Sequence, residues 1–375
     1  GFHAIGSKPV REASVTEPTI DFVHSHHYEK DPDSLIKHIK RNLEIVDNRK
    51  PYIIGEFGFL GTPAIERILD LVIQEDISGA LLWSLRFHRR EGGFYWHSEP
   101  GGRGLYKSYH WPGFDSGIAY DEQDLLNLVY EKAAEIQGTK APPRQAPEAP
   151  HLLEISNIGD ISWQGSVGAA AYDVQRARRE NGPWTTVGYN VSDAAVQYMP
   201  LFTDRTAAIG NSYYYRVIAK NRSGKSGPSN EVGPVPVDTR ILVDRMQNLT
   251  AMYDYEGEIS LATENDRQFK ENMYRIAGEQ GSALIYHVSG KIERFKVYGF
   301  AEEAGESLKC LLSEDGAEFH PVATDTESPY RGEGEYGYRV PTLYSAQEID
   351  RKSDFLKVDY TRPSQIARVE IFYTE

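Results

Sequence analysis

The chain has 375 residues, a formal net charge of −14, 11% aromatic residues and a single cysteine. The acidic balance argues against a nucleic-acid-binding protein, because such proteins present basic surfaces. One cysteine excludes an internal disulfide, and no apolar stretch of the sequence is long enough to span a membrane.

The first 138 residues alternate between predicted strands and predicted helices. Residues 20–28, 51–58 and 77–85 are apolar runs that predict strands, and residues 31–48 and 64–74 between them have apolar side chains at helical spacing. A further helix is predicted over 121–138, after a long insertion. The order strand, helix, strand, helix, strand is typical of a parallel sheet.

The second predicted strand ends in one acidic residue flanked by glycines, Gly55-Glu56-Phe57-Gly58. A (β/α) barrel presents its catalytic groups in this way, at the C-terminal ends of buried strands. Side-chain alternation places Glu56 on one face with Ile54 and Gly58, and it places Ile53, Gly55 and Phe57 on the other. Glu56 is therefore predicted to face inward at the rim, the alternative being a solvated strand end.

The flanking strands carry aromatic and imidazole groups at the same level. In the first strand His24, His26 and Tyr28 share one face, and in the third Leu81, Trp83 and Leu85 do so. Three successive strands thus end in His-His-Tyr, Glu and Trp.

This set resembles the last strands of clan A glycoside hydrolases, above all the family 5 β-mannanases. In that family strand six ends in His-x-Tyr, matched by His26 and Tyr28. Strand seven ends in a Gly-Glu-Phe-Gly-like motif with the nucleophile, matched by Glu56, and strand eight carries the aromatic floor of the cleaved-sugar subsite, matched by Trp83. The resemblance covers roughly residues 1–138.

The resemblance implies a retaining, endo-acting hydrolase of a β-linked polysaccharide, with β-1,4-mannan favoured and an endo-β-glucanase as an alternative. It implies that Glu56 is the nucleophile, that Tyr28 orients it and that His26 lies beside the same sugar ring. Trp83 would stack beneath the apolar face of that sugar.

The sequence departs from the family at the general acid/base, which there lies on strand four in an Asn-Glu-Pro-like motif. The only Asn-Glu pair here, Asn230-Glu231, lies far downstream. A complete barrel takes about 250 residues. We therefore expect a partial (β/α)8 TIM barrel of roughly strands five to eight, with Phe2–Gly6 as the tail of strand five. Because such a half barrel exposes sheet edges, we expect the missing half to be supplied. The chain is then a truncated piece, a proteolytic product or one piece of a two-chain assembly whose partner is an N-terminal half-barrel. No activity is expected from this chain alone.

The insertion after the third strand is rich in aromatic and basic residues. A loop of this kind at the catalytic face suits a sugar-binding wall, and Arg86, His88 and Trp96 are its predicted substrate-binding residues; the alternative is a loop that packs its own aromatics. The His24-x-His26 pair also fits a zinc site, which would make the protein a metal-dependent hydrolase. Because Glu56 is the only obvious acidic partner, we predict neither a metal nor another cofactor.

Residues 139–150 form a proline-rich linker. Beyond the linker the sequence predicts strands only. Four are predicted at 161–163, 171–176, 184–187 and 213–219, and five more at 283–288, 292–298, 307–312, 355–360 and 366–373. Residues 151–236 resemble a fibronectin type III domain, through Trp163 and the run Tyr213-x-Tyr215-Arg216-Val217-x-Ala219-x-Asn221. Residues 237–375 resemble a galactose-binding or discoidin-like jelly roll, through Ser313-Glu314-Asp315-Gly316 followed by Phe319 and Val322.

The predicted layout is a catalytic unit, a spacer and a binding module. By analogy it implies a secreted, cell-surface or periplasmic protein that acts on a polysaccharide. The rival interpretation is a non-catalytic glycan-binding protein in which the half barrel is vestigial and the C-terminal sandwich binds.

Overall fold

A computed structural model describes residues 7–95, 109–113, 122–194, 199–270, 272–303, 305–328 and 339–375. The predicted tail of strand five at Phe2–Gly6 and the predicted sugar-binding Trp96 lie outside these ranges. Among the helices described here, none combines the length and hydropathy needed to cross a bilayer.

The first unit contains a small parallel sheet with helices between its strands. Its elements are α1 (Glu12–Thr16), β1 (Val23–His27), α2 (Pro32–Val46), β2 (Tyr52–Phe57), α3 (Thr62–Gln74), β3 (Gly79–Leu82), β4 (Leu85–Arg86), β5 (Tyr109–His110) and α4 (Glu122–Ile136). Strands β1, β2 and β3 pair in parallel in that order, which confirms the predicted alternation, and β4 pairs with β5. The short helix α1 was not predicted.

Local sequence signals explain where α2 begins and ends. Asp31 precedes the helix and its carboxylate accepts a hydrogen bond from the Ser34 backbone N–H at 2.9 Å. Pro32 occupies the first turn, where its missing N–H costs nothing. Asp47 follows the helix with a φ of 47°, a left-handed conformation that ends it.

The helices cover one face of this sheet. On the opposite face, called the open face, the residues that the structure describes leave His24 exposed and His26 and Glu56 partly exposed. The covered face packs a cluster in which Leu35, Ile54 and Ile68 are fully buried. Two leucines of this unit, Leu81 in β3 and Leu85 in β4, are 61% and 55% exposed to solvent. Among the described residues this sheet has three parallel strands, and β4 and β5 form a separate parallel pair, so these strands do not by themselves close a barrel.

The second unit is a β-sandwich. Its strands are β6 (His151–Leu152), β7 (Trp163–Gln164), β8 (Ala171–Ala177), β9 (Thr185–Val191), β10 (Ser212–Asn221), β11 (Gly224–Pro228) and β12 (Val232–Pro236). One sheet has the order β11-β10-β8-β9, with β12 also paired to β10, and β6 pairs with β7. Trp163, Tyr172 and Tyr215 are fully buried between the sheets. The predicted strands at these positions are confirmed.

The third unit is a larger antiparallel sandwich. Its strands are β13 (Arg240–Asp244), β14 (Asp254–Glu256), β15 (Ile259–Ala262), β16 (Arg275–Gly278), β17 (Ala283–His287), β18 (Lys291–Ala301), β19 (Leu308–Ser313), β20 (His320–Pro321), β21 (Asp325–Glu327), β22 (Val340–Ala346), β23 (Phe355–Tyr360) and β24 (Ser364–Thr374), with a 3₁₀ helix at Asp266–Phe269. One sheet runs β15-β16-β24-β18-β22-β21 with β13 beside β24, and the other runs β14-β17-β23-β19-β20. The five predicted strands of this unit are all present.

The linker between the first and second units is held on both sides. The Arg144 guanidinium lies 4.6 Å from the ring centre of Trp111 in the first unit. The Tyr130 hydroxyl of α4 donates to the Pro142 carbonyl at 2.9 Å. From the second unit, the Asn221 amide donates to the Gln145 carbonyl at 2.7 Å.

The second and third units share part of one hydrophobic core. Ile241 and Phe372 belong to the third unit's sheet but pack in the cluster of buried residues that contains Trp163. Two polar contacts border this cluster. Lys296 pairs with Asp160 at 2.8 Å, and Arg368 donates to the Thr203 hydroxyl at 3.0 Å.

Candidate functional site

The predicted nucleophile lies at the C-terminal end of β2, opposite the end of β1. The Tyr28 hydroxyl donates a hydrogen bond to Glu56 Oε2 at 2.5 Å. His26 Nδ1 lies 3.4 Å from the same oxygen. The side chains of His26 and Glu56 are 18% and 24% exposed, so the group is reachable from solvent. The structure therefore brings together the three residues that were predicted to form the catalytic centre.

The face of β2 on which Glu56 lies was predicted for the wrong reason. Pairing with β1 runs from Ser25 opposite Ile54 to His26 opposite Glu56, so Gly55 is an extra residue in β2. Such a bulge shifts the side-chain alternation by one. The predicted sharing of one face by Ile54 and Glu56 is wrong, because Ile54 is fully buried under the helices.

Gly55 is required by the close approach of the histidines. A Cβ atom at this position would lie 3.0 Å from His24 Nδ1 and 3.2 Å from the His26 ring. The two imidazole ring centres are themselves 5.2 Å apart. Gly55, His24 and His26 therefore meet on the open face of the sheet, and Glu56 joins them there.

Trp83 follows β3 and lies beside this group through its backbone. Its N–H donates to the Phe57 carbonyl at 3.0 Å, and a Cβ at Gly58 would lie 3.3 Å from its carbonyl oxygen and 3.9 Å from the Tyr28 ring. Tyr28 also packs against Phe59, with ring centres 5.5 Å apart. These contacts hold the strand ends in which Tyr28 and Glu56 lie.

A buried polar network supports β1 on the helix side of the sheet. Ser25 Oγ lies 2.7 Å from His27 Nε2 and 2.5 Å from the Tyr52 hydroxyl. All three side chains are almost completely buried, so this group has no access to a substrate. This buried group was not predicted. The alternation of Ser25 and His27 with His24 and His26 along β1 is the sequence signal that indicates it.

The residue after Tyr28 anchors the end of β1 to α2. Glu29 Oε1 lies 2.5 Å from His38 Nδ1, and Glu29 Oε2 lies 3.6 Å from His27 Nδ1. Burial opposes ionisation of Glu29, but the adjacent His27 ring and the hydrogen bond with His38 outweigh it and lower the pKa of Glu29 to about 2. The carboxylate is therefore ionised at neutral pH and holds both imidazoles.

The structure places Arg86 in a buried cluster. It is 6% exposed, and its Nη1 lies 3.3 Å from His110 Nε2. The other ring nitrogen of His110 lies 3.2 Å from Glu122 Oε1. Burial and the nearby Arg86 hold the pKa of His110 well below its usual value, so the ring is neutral and accepts from Arg86. These contacts tie β4 to β5 and α4.

His88 contacts the second unit. Its Nε2 lies 3.0 Å from Asp193 Oδ2, and the Tyr172 hydroxyl donates to the same oxygen at 2.7 Å. The His88 ring also packs on Phe94, with centres 4.1 Å apart. Sequence reasoning missed this contact, because its partners are 105 residues apart.

No group of three or more histidine, cysteine or acidic side chains is placed to hold a metal ion within the described part of the chain. His24 and His26 lie close together, with Glu56 as the acidic neighbour of His26. The arrangement on the open face is thus a partly exposed carboxylate that accepts hydrogen bonds, bordered by imidazole and phenol rings.

No protein-family model matches the chain, and no curated protein is significantly similar to it. Among solved structures, a fibronectin-type-III-like protein from Clostridium thermocellum is 26% identical over 23% of this chain and 86% of its own, with a TM-score of 0.18. CpGH89CBM32-6, produced by Clostridium perfringens, is 12% identical over 34% of this chain and 100% of its own, with a TM-score of 0.21.

A family 6 carbohydrate-binding module is 13% identical over 36% of this chain and 94% of its own, again with a TM-score of 0.21. The neighbours are thus fibronectin-like and carbohydrate-binding sandwich domains. The two sandwiches of this chain are assigned from its own strand pairing.

Proposed function

We propose that this chain is a glycan-associated protein whose first unit contacts a neutral β-linked polysaccharide along the open face of its parallel sheet. One observation carries the proposal: the Glu56 carboxylate is held by the Tyr28 hydroxyl at 2.5 Å and flanked by His26 at 3.4 Å. A preorganised, partly exposed acceptor beside aromatic rings is the arrangement that sugar hydroxyls and apolar sugar faces need.

The proposal is tested by electrophoresis in native gels containing soluble β-mannan or β-glucan. Binding retards the protein in proportion to polysaccharide concentration. We expect Glu56→Gln and Tyr28→Phe to reduce the retardation, because each removes part of the charge-assisted pair. Glu66→Gln, an exposed carboxylate of α3, is the matched control. A wild-type protein with unchanged mobility in both gels would contradict the proposal.

A second candidate function is retaining hydrolysis of the glycan, with β-1,4-mannan as the favoured substrate and Glu56 as nucleophile. The position of Glu56 at the C-terminal end of a parallel strand, oriented by Tyr28, favours it. In this interpretation the three strands are part of a (β/α)8 barrel, and Trp83 forms the floor of the sugar subsite.

Hydrolysis also requires a second carboxyl group, about 5–5.5 Å from the nucleophile, as general acid/base. At the ends of the three described strands the other carboxylate is Glu29, which His27 and His38 engage. We therefore propose that the acid comes from a complementary half-barrel that supplies strands one to four and closes the barrel against this unit. The expected setting is secreted, periplasmic or at the cell surface.

Release of reducing ends from β-mannan measures this activity. We expect none from the chain alone and turnover after addition of a polypeptide that supplies strands one to four. In that assembly Glu56→Gln should abolish turnover, a loss far larger than its effect on binding. Robust turnover by the 375-residue chain alone would refute the assignment of the acid to a complementary half-barrel. Near-normal turnover by the assembled Glu56→Gln variant would refute Glu56 as the nucleophile.

A further inference from the structure

Three aromatic rings form an exposed platform on the third unit. His287 in β17 and Phe355 in β23 are directly opposite each other in the sheet. Their rings stack with centres 4.4 Å apart and an angle of 27° between their planes. Tyr253 packs edge-on against both, at 5.5 Å from His287 and 5.3 Å from Phe355. We call this group the ring platform.

The ring platform is both accessible and fixed in position. Tyr253 is 65% exposed, and the His287 side chain is 39% exposed. The Tyr253 backbone is tied to the sheet, because its N–H donates to the Ile285 carbonyl at 2.8 Å. On the far side Phe355 rests on Gly316, where a Cβ would lie 3.0 Å from the ring. Rings held by strands present a binding surface more precisely than loop residues do.

The charges around the ring platform are acidic. Asp254 and Asp354 adjoin Tyr253 and Phe355 in the chain. The nearby cations are already neutralised, since Lys357 pairs with Glu256 at 2.6 Å and Lys352 with Glu314 at 2.9 Å. A polyanion such as a uronic-acid polysaccharide would therefore be repelled, and a neutral ligand is favoured.

The charged groups near the ring platform favour a sugar over a protein partner. A stable protein interface buries about 800 Å² on each side, with charges depleted at its centre. Here the Asp354 carboxylate lies 3.7 Å from His287 Nε2, and a Lys357–Glu256 ion pair lies further along β23 and β14. Aromatic faces that are ringed by hydrogen-bonding groups match a pyranose, whose apolar face stacks while its hydroxyls bond outward.

We infer that the ring platform of Tyr253, His287 and Phe355 is a second glycan-binding site, specific for neutral β-linked pyranose chains. The inference rests on the proposed association with glycans, but it concerns a different unit and a different surface. Tyr253 supplies the stacking ring, His287 and Phe355 hold it in place, and Asp254 accepts bonds from sugar hydroxyls.

The test uses the whole chain with neutral β-mannan and with polygalacturonate, by gel retardation and titration calorimetry. We expect binding to mannan only. Tyr253→Ala should weaken it about two- to tenfold, the loss typical of one aromatic stacking contact, and Tyr253→Phe should retain it. Tyr189→Ala is the matched control, since Tyr189 is a 71% exposed tyrosine in β9 of the second unit.

The outcomes separate this inference from the proposed function. Unchanged mannan binding by Tyr253→Ala would overturn the ring platform as a site and leave the Glu56 face as the binding surface. Loss in Tyr253→Ala with no effect of Glu56→Gln would support the ring platform and contradict the Glu56 face. Equal binding of polygalacturonate would overturn the charge argument. Self-association in sedimentation experiments that Tyr253→Ala abolishes would assign the rings to a protein contact instead.

Discussion

Truncation of Phe372 to alanine tests whether one shared core stabilises both the second and the third unit. Phe372 lies in β24 of the third unit and is fully buried, yet it packs in the cluster around Trp163. It contacts the second unit closely, since a Cβ at Gly159 would lie 2.7 Å from its ring. The substitution removes a buried ring at the boundary and should cost about 3–5 kcal/mol.

That cost is a large part of the free energy of unfolding of a typical domain, about 5–15 kcal/mol. We expect Phe372→Ala to lower the urea midpoint of both sandwiches. Hydrogen exchange of peptides that cover β8 in the second unit and β19 in the third measures the two midpoints separately. Phe295→Ala, a fully buried residue of the third unit's own core, is the matched control and should act mainly on β19. If Phe372→Ala shifts β19 alone and leaves β8 at the wild-type midpoint, the two units do not share a core.

Three further predictions follow from single residues. The pKa of His110 is lowered in the folded protein, so below pH about 6.5 only the unfolded ring is protonated. The free energy of unfolding should therefore fall as the pH drops below this value, by up to about 1.4 kcal/mol per pH unit. Urea unfolding at pH 7.5 and 5.5 measures this change, and His110→Asn should reduce the dependence of the unfolding free energy on pH. Burial raises the pKa of Cys310 to about 12, so a thiol reagent at pH 8 should label it only when the third unit unfolds. Gly165→Ala would place a Cβ 2.2 Å from Asp193 Oδ2 and should lower the free energy of unfolding by about 1–3 kcal/mol, which thermal unfolding measures. Gly227→Ala, where a Cβ would meet no atom within 4 Å, is the control and should be nearly neutral.

The regular parts of the structure could be predicted because their periodicity is local. Residues 356–360 alternate cleanly between apolar and polar side chains, and the structure has a strand with alternating burial at Phe355–Tyr360. The pairing of Tyr28 with Glu56 was predictable as well, because neighbouring parallel strands bring their C-terminal ends to one edge. Local patterns of this kind carry both the strand assignment and the catalytic-type grouping.

The remaining features depend on contacts that no local pattern encodes. The extra residue at Gly55 shifts the alternation of β2 without leaving a sign in its hydrophobic pattern. His88 lies in a loop with the composition of a sugar-binding wall, yet its partner Asp193 belongs to another unit. Arg86 is likewise buried by His110, which a long insertion separates from it.

The pinned linker changes how the two proposed glycan surfaces would act together. A free twelve-residue tether would let them sample many separations, and their joint affinity would depend on an averaged effective concentration. Here Arg144 and Gln145 fix the linker to the units on either side, and the two sandwiches share a core. The separation between the surfaces is then set by the fold, so avidity would be gained only on polymers whose repeat brings matching sugars to both places at once.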